Sequence, residues 1–261
     1  MNKIYFSLTP HTYAACFDNA IIILDSTNDK YLSFIDDAAQ YFQFALSGSF
    51  QRNSDGKLVP VESINNGGSE FSTEFKCDLE QLNDWIEHFI ENNFITESSQ
   101  AKRKVLAPLP LQPGGLSDYK WDHKPSWKPF TQASKIQIIK AFFELAKTHR
   151  TMKRGGINGI LDAIKKNQAN HTNPYQPTDQ EVGKLAAAID AASLLYPKKT
   201  FCLAWASTFV LLALQKNWSC NLAIGIQTNP FYAHAWAQMA GKVIHDDPVI
   251  AKVLSVILKE P

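Results

Sequence analysis

Residues 201–246 read FCLAWASTFVLLALQKNWSCNLAIGIQTNPFYAHAWAQMAGKVIHD, and their hydrophobic period changes halfway. The first part, Phe201–Lys216, is strongly apolar and predicts a buried helix. The second part alternates apolar and polar side chains, which predicts strands at Asn221–Gln227, His234–Gln238 and Lys242–Asp246. A buried helix followed by strands that short turns connect predicts an α+β fold for this part of the chain.

Two more helices are predicted upstream of this stretch. Gln132–His149 carries its apolar side chains on one broad stripe, as an amphipathic helix does. Thr178 and Glu181 have the spacing of a capping box, which predicts a helix that runs from there to about Leu195. We expect these helices and the strands that follow to form one domain over residues 130–261.

The first part of the chain, residues 1–97, predicts a smaller mixed domain. Ala20–Leu24 is a β-branched run followed by turn-forming residues, and Lys30–Phe34 favours the second strand of a hairpin. Ile35–Leu46 and Leu79–Phe94 space their apolar residues as helices do. A hairpin with two helices is therefore expected here.

Two segments predict irregular structure. Ser47–Ser72 is rich in Gly, Asn and Ser and predicts loops, with one short strand at Lys57–Val61. Ser98–Pro129 contains five prolines, which remove backbone donors and disfavour helix. We therefore predict a linker at residues 98–129, with the domain boundary inside it.

Composition bounds the possible classes of function. The chain has 261 residues, of which 45% are hydrophobic and 20% are charged, and its net charge is +1. This balance gives no electrostatic argument for a nucleic-acid partner. The longest apolar stretch, Phe201–Leu214, is shorter than the roughly 18–20 residues of a membrane span. Met1–Pro10 lacks the apolar core of a signal peptide, so we expect a cytoplasmic protein without a membrane partner.

Four cysteines occur, and no two of them form a C-x-x-C pair. They predict neither a zinc knuckle nor a disulfide scaffold, so each is judged by its own context. Cys16, Cys77 and Cys220 are expected to be ordinary core residues. Cys202 differs because it stands at the start of the predicted buried helix, where free N–H groups and the helix dipole favour a thiolate.

A histidine base is predicted at His234, and the register of the following hairpin decides which acid faces it. A two-residue loop, Ala240-Gly241, would send Asp246 to the opposite face of the sheet and place Asp247 beside His234. A three-residue loop with Gly241 in the left-handed position would place Asp246 opposite His234 instead. We prefer the three-residue loop, with Asp246 as the orienting acid and Asp247 as the alternative.

A thiol, an imidazole and a carboxylate in this arrangement can act as nucleophile, base and orienting acid. Backbone N–H groups at the helix start, including that of Cys202, are candidates for an oxyanion hole. Neither an H-E-x-x-H pattern nor a glycine-rich phosphate loop occurs, so we predict neither a metal site nor a nucleotide site. His245, next to the proposed acid, is expected to be structural.

The residues around these three positions carry a family resemblance. Cys202-Leu203, Ile224–Ile226, Pro230–Trp236, Gly241–Pro248 and Leu254–Leu258 together resemble the transglutaminase-like B proteins of lasso-peptide maturation, of the McjB type. The resemblance implies a papain-like or transglutaminase-like cysteine protease domain. It implies hydrolysis of the bond between the leader and the core of a lasso-peptide precursor.

The same resemblance implies roles for residues and partners. Cys202, His234 and Asp246 would be nucleophile, base and orienting acid. The freed core would pass to an asparagine-synthetase-like cyclase that closes the lasso ring. Because this chain shows no nucleotide motif, any use of ATP is expected in that partner, and no cofactor is expected here.

A looser resemblance covers Ala20–Phe42, which is similar to the small winged-helix domain that binds the leader in such proteins. It implies that the leader adds as a strand to the edge at Lys30–Phe34, with the helix Leu79–Phe94 as the second wall. The predicted leader-binding residues are Tyr31, Leu32, Ser33, Phe34, Leu82 and Trp85.

Two other functions remain open at this level. Acyl transfer to an amine would use the same three residues, because only the second nucleophile differs from hydrolysis. A non-catalytic adaptor that binds the leader would not use them, and would tolerate the change Cys202→Ala.

Overall fold

The computed structural model describes residues 3–17, 19–61, 78–99, 132–169, 174–228 and 230–260. Cys77 and the predicted linker from residue 100 onwards lie outside these residues. The chain divides into two compact units, Met1–Pro108 and Leu109–Pro261. None of the described helices is long and apolar enough to cross a membrane.

The described part of the first unit combines three small antiparallel sheets with two helices. Its elements are β1 (Tyr5–Leu8), β2 (Thr12–Phe17), β3 (Ala20–Asp25), β4 (Lys30–Ile35), α1 (Asp36–Ser47), β5 (Phe50–Arg52), β6 (Leu58–Pro60), α2 (Leu79–Glu91) and β7 (Ile95–Ser98). The sheets have the orders β2-β3-β4, β1-β7 and β5-β6. The predicted hairpin is β3-β4, and the predicted short strand is β6.

The core of this unit lies between the central sheet and the two helices. Alternate residues of β3, Ile21 and Ile23, are fully buried with Phe42 of α1 and Phe89 of α2. The rings of Phe42 and Phe89 meet edge to face, with centroids 4.8 Å apart. The long axis of α2 is thereby fixed beside β4, the edge strand of the sheet.

The end of α2 differs from the prediction. The helix stops at Glu91 and does not reach Phe94. Asn93 adopts a left-handed φ of 58°, which ends a helix, and the N–H of Phe94 then donates to the carbonyl of Phe89. This turn buries Phe94 and leads the chain into β7. The apolar side chain of Phe94 therefore packs in the core from outside the helix, and it does not mark an extension of α2.

The second unit packs helices onto one antiparallel sheet. Its elements are α3 (Lys135–Gln168), α4 (Asp179–Leu195), α5 (Cys202–Gln215), β8 (Asn221–Thr228), β9 (Phe231–Met239), β10 (Lys242–Ile244), α6 (Ile250–Val253) and β11 (Ser255–Glu260). The sheet has the order β10-β9-β8-β11. Strand β11 was not predicted as a strand. The expected α+β fold is confirmed.

Helices α4 and α5 of this unit follow the sequence signals. The capping box of Thr178 and Glu181 is present at the start of α4. Helix α5 is buried along most of its length, as predicted.

Helix α3 continues to Gln168 beyond the predicted end at His149. Gly156 breaks it with a φ of 56°, a conformation that glycine adopts without strain. Three residues of its predicted apolar stripe, Ile136, Ile139 and Phe143, are exposed, so the face that packs is a different one. Helix α6 was not predicted.

The turn between β9 and β10 contradicts the predicted register. Lys242 pairs with Met239, so the loop is the two residues Ala240-Gly241 and not the preferred three. Their φ values of 46° and 81° fit a type I′ turn, which needs positive φ at both positions. The prediction failed because it reserved the left-handed conformation for Gly241, whereas Ala240 adopts it as well.

Strand β10 is also shorter than predicted. It ends at Ile244 because the next residue, His245, has a left-handed φ of 56°. The predicted strand to Asp246 was therefore wrong. The turn at His245 redirects the chain, and this decides which carboxylate meets His234.

Candidate active site

Cys202 is the first residue of α5. The N-cap residue, Phe201, supplies no side-chain cap, and the first intrahelical donor to its carbonyl is the N–H of Trp205. The N–H groups of the first turn therefore have no acceptor within the helix. The backbone N–H groups of Leu203 and Ala235 lie near the thiol sulfur of Cys202 and lower its pKa. These donors stabilise negative charge on the sulfur.

His234 lies on β9 directly opposite Gly225 of β8. Tyr232 and Trp236 flank it on the same face of the strand, with ring centroids 6.0 and 6.4 Å from its own. A Cβ at Gly225 would lie 2.7 Å from both Trp236 and Leu254. Glycine is thus required opposite the histidine, because the indole of Trp236 occupies the space that a side chain would take.

Asp246 contacts His234 despite the register. Its Oδ2 lies 2.6 Å from Nε2 of His234, and only 12% of the histidine side chain is exposed. The alternative acid, Asp247, accepts a hydrogen bond from the N–H of Val249 at 2.8 Å, which begins the turn into α6. The structure thus brings together the three residues that the sequence singled out, but by a turn and not by strand pairing.

The two ring nitrogens of His234 face different partners. Since Nε2 faces Asp246, the ring nitrogen available to the thiol of Cys202 is Nδ1. Burial favours the neutral imidazole, but hydrogen bonds with Asp246 and Cys202 outweigh it and raise the pKa of His234 to about 9. Burial likewise opposes ionisation of the thiol, but the hydrogen bonds with His234 and with backbone N–H groups lower the pKa of Cys202. The pair favours thiolate and imidazolium.

The other described cysteines show the opposite behaviour. Burial raises the pKa of Cys16 to about 12 and also raises that of Cys220. Both side chains lie in hydrophobic cores, as expected. Among the cysteines in the described part of the chain, only Cys202 has its pKa lowered, which is the property of a nucleophilic thiol.

Sequence reasoning missed Tyr232. Its hydroxyl lies 3.3 Å from Nδ1 of His234, and burial together with the charges of Cys202 and Asp246 raises its pKa to about 12. The phenol therefore stays neutral and can donate or accept beside the reacting nitrogen. The available signal was its position two residues before His234, which places both on one face of a strand.

A second missed group lies next to Asp246. His245, predicted to be structural, stacks on Trp205 of α5 with ring centroids 4.8 Å apart. The indole N–H of Trp205 donates to Oδ1 of Asp190 at 2.9 Å. These contacts lie one turn along α5 from Cys202. Sequence spacing could not place Asp190 here, because it comes from a different helix.

The predicted leader-binding residues lie in the first unit, on β4 and α2. Tyr31, Leu32, Ser33 and Phe34 are all on β4, which is the last strand in the order β2-β3-β4 of the described sheet. The ring of Phe34 lies 6.3 Å from that of Trp85 on α2, which is only partly buried. Both rings are partly buried and pack against the core of this unit.

One of the predicted leader-binding residues, Leu82, is a core residue. Its side chain is fully buried in the core, so the prediction that it contacts a leader directly was wrong. The apolar stripe of α2 faces the core at this position. Among the residues that the structure describes, no three His, Cys, Asp or Glu side chains are arranged to hold a metal ion.

The second unit contains the region that matches a known protein family. Residues 145–259 match the family model of the transglutaminase-like superfamily. The chain is 37% identical over 127 residues to the microcin J25-processing protein McjB of Escherichia coli. That match covers 47% of this chain and 59% of that protein, so the chain spans about three fifths of the curated relative's length. No solved structure matches the chain.

The matched region contains Cys202, His234 and Asp246, although the comparison assigns no role to them. Residues 145–259 are therefore similar to the transglutaminase-like superfamily, and the predicted resemblance of the chain to a protein of the McjB type is confirmed.

Proposed function

We propose that the chain is a cysteine peptidase that hydrolyses the bond between the leader and the core of a lasso-peptide precursor. The observation that carries this proposal is the contact of His234 with Cys202 on one nitrogen and with Asp246 on the other. A lowered thiol pKa beside a raised histidine pKa supplies a nucleophile and a proton donor at the same site. The similarity to a microcin-processing protein supports the substrate class.

In the first step, the thiolate of Cys202 attacks the carbonyl carbon before the bond that is cut. The oxyanion forms close to the N–H groups at the start of α5, which have no acceptor within the helix and suit its stabilisation. His234 gives the proton on Nδ1 to the leaving amine, so the core peptide departs and a thioester to the leader remains. Asp246 holds the ring through Nε2 in both protonation states.

In the second step, water replaces the amine beside Nδ1. His234 takes a proton from water, the hydroxide attacks the thioester, and the sulfur leaves as a thiolate. The leader is released with a free carboxylate, and the starting state returns. An amine in place of water would give acyl transfer, so access of the second nucleophile decides between the two reactions.

The first unit supplies a surface for the leader. An incoming strand would pair with the edge of β4, where the backbone of Tyr31 and Ser33 lies, and place its side chains against Phe34 and Trp85. Backbone pairing would give affinity, and the aromatic groove would give specificity. Binding of the leader outside the catalytic unit explains how one bond of a flexible precursor could be chosen.

The proposed partners follow from this order of events. The freed core would pass to an asparagine-synthetase-like cyclase, and the use of ATP would belong to that partner. The site residues of this chain need no cofactor for either step, because both are proton transfers and acyl transfers. We place this maturation in the cytoplasm, where a newly made precursor is first available.

Mass spectrometry of the precursor peptide tests the proposal. The precursor is incubated with the full chain, with Cys202→Ala and with Cys16→Ala as a matched control, each with and without the cyclase. We expect leader and core fragments from the wild type and from Cys16→Ala, and intact precursor from Cys202→Ala. Maturation that proceeds with Cys202→Ala would contradict the proposal and favour the adaptor.

A further inference from the structure

The acid of the site reaches His234 through a turn that sheet geometry alone disfavours. With Lys242 paired to Met239, continuation of β10 would bring Asp247 opposite His234 and turn Asp246 away. The left-handed φ of 56° at His245 interrupts the strand and reverses this outcome. A residue with a Cβ adopts this conformation only at an energetic cost, so some other contact must stabilise it.

The side chain of His245 makes the contacts that can stabilise the turn. Its ring stacks on the indole of Trp205 at 4.8 Å with an interplanar angle of 14°. Its Nε2 lies 2.8 Å from Oδ2 of Asp190, although the two atoms form no hydrogen bond. The ring is largely enclosed, since 19% of the side chain is exposed.

The partners of His245 are themselves fixed. Trp205 donates its indole N–H to Asp190 and stacks on Phe209, which is fully buried in α5. Asp190 belongs to α4, so two helices hold the indole. Trp205 and Cys202 stand three residues apart on α5, and the same helix therefore sets the positions of the nucleophile and of the turn that carries the acid.

We propose that Asp190, Trp205 and His245 act as a clamp that holds the left-handed turn and thereby aims Asp246, and not Asp247, at His234. They are positioning residues and touch no reacting atom. The proposal concerns the assembly of the thiolate and imidazolium pair. It deepens the proposed peptidase function, but its test does not need the peptide substrate.

The test is the rate at which iodoacetamide alkylates Cys202 in the full chain, measured against pH. Only the thiolate reacts, so the profile reports the thiol pKa. If the turn is lost, Asp246 no longer stabilises the imidazolium, and the thiol pKa rises. We expect His245→Val, which resists a left-handed φ, to move the alkylation profile to higher pH by about one unit, which lowers the rate about tenfold at any pH below the thiol pKa.

Two further variants separate the clamp from general destabilisation. His245→Gly removes the ring but adopts the left-handed turn freely, so we expect most of the wild-type rate to return. Trp205→Leu should lower the rate in the wild type and have little effect in the His245→Gly background, where the turn needs no clamp. Thermal melting of each variant shows whether it is folded.

A third comparison links the clamp to its target. In an Asp246→Asn background, His245→Val should cause no further loss, since the two changes break one interaction. A His245→Val profile that equals the wild type would overturn the proposal. So would a His245→Gly profile as impaired as that of His245→Val, or full additivity with Asp246→Asn. Failure of the peptidase function alone would leave these alkylation results unchanged.

Discussion

Replacing Asp246 by asparagine removes one negative charge beside His234 and keeps the size and an acceptor oxygen. The wild-type contact is 2.6 Å between Oδ2 and Nε2, with 12% of the histidine side chain and 29% of the aspartate side chain exposed. A hydrogen bond to a charged group in such surroundings contributes about 1.5–3 kcal/mol. Because the carboxylate is partly exposed, we take the lower part of this range, about 1.5–2 kcal/mol.

This free energy corresponds to a loss of about 10- to 30-fold in kcat/KM if the imidazolium is required in the rate-limiting proton transfer. A second effect concerns pH. The pKa of His234 is about 9 in the wild type, so cleavage should fall as pH rises through about 9, where the imidazolium loses its proton. Without the carboxylate the same limb should move to lower pH, towards the ordinary value of 6.5.

The assay is cleavage of the precursor across a pH series, with iodoacetamide alkylation of Cys202 as a readout that needs no peptide. Asp247→Asn is the matched control, since its remaining oxygen can still accept from the N–H of Val249. We expect this control to stay within about twofold of the wild type. An unchanged pH limb in Asp246→Asn, or a larger loss in Asp247→Asn, would refute the assignment of the acid.

Four further predictions follow from particular contacts. Tyr232→Phe removes the hydroxyl at 3.3 Å from His234 and should lower kcat more than it raises KM, measured by steady-state cleavage. Gly225→Ala forces a Cβ against Trp236 and should lower the thermal midpoint by several degrees, as scanning calorimetry would show. Trp85→Ala should weaken binding of a labelled leader by about 2 kcal/mol, or about 30-fold, in fluorescence anisotropy. Cleavage of a precursor that is tethered to the chain should be unchanged. Leu82→Ala should instead lower the free energy of unfolding by about 2–5 kcal/mol in urea titration, because its side chain is core and not groove.

Local signals predicted the elements that carry the site. The period change at the end of α5, the capping box of Thr178 and the alternation in β8 and β9 are each confirmed in the structure. Such patterns report which face of an element is buried, and they act over a few residues. They therefore located Cys202 at a helix start and His234 on a strand without knowledge of the fold.

The failures concern backbone conformations that tertiary contacts decide. Left-handed φ at Ala240 and His245 is uncommon for residues with a Cβ, so the sequence favoured a glycine bulge and a longer strand. The predicted loop was one residue too long and the predicted strand ended two residues too late, and these two errors cancelled each other. Asp246 was therefore identified for a reason that the structure does not support. The clamp residues Trp205 and Asp190 lie on other elements, and no local pattern could connect them to the turn at His245.

The length of α2 shows the same limit in the first unit. The apolar spacing continues to Phe94, but Asn93 turns the chain and Phe94 enters the core from outside the helix. Leu82 fits both a groove wall and a core position by spacing alone, because a helix stripe does not reveal what covers it. Only packing against β3 and α1 separates the two.

Cleavage of the precursor in water labelled with oxygen-18, followed by mass spectrometry of the leader fragment and of Cys202, tests whether the reaction is hydrolysis through a thioester on Cys202. Hydrolysis through a thioester predicts one heavy oxygen in the new carboxylate of the leader. It also predicts a transient leader adduct on Cys202 after rapid acid quenching. A leader that carries an amine in place of the heavy oxygen would show acyl transfer, and cleavage without any adduct on Cys202 would contradict its role as the nucleophile.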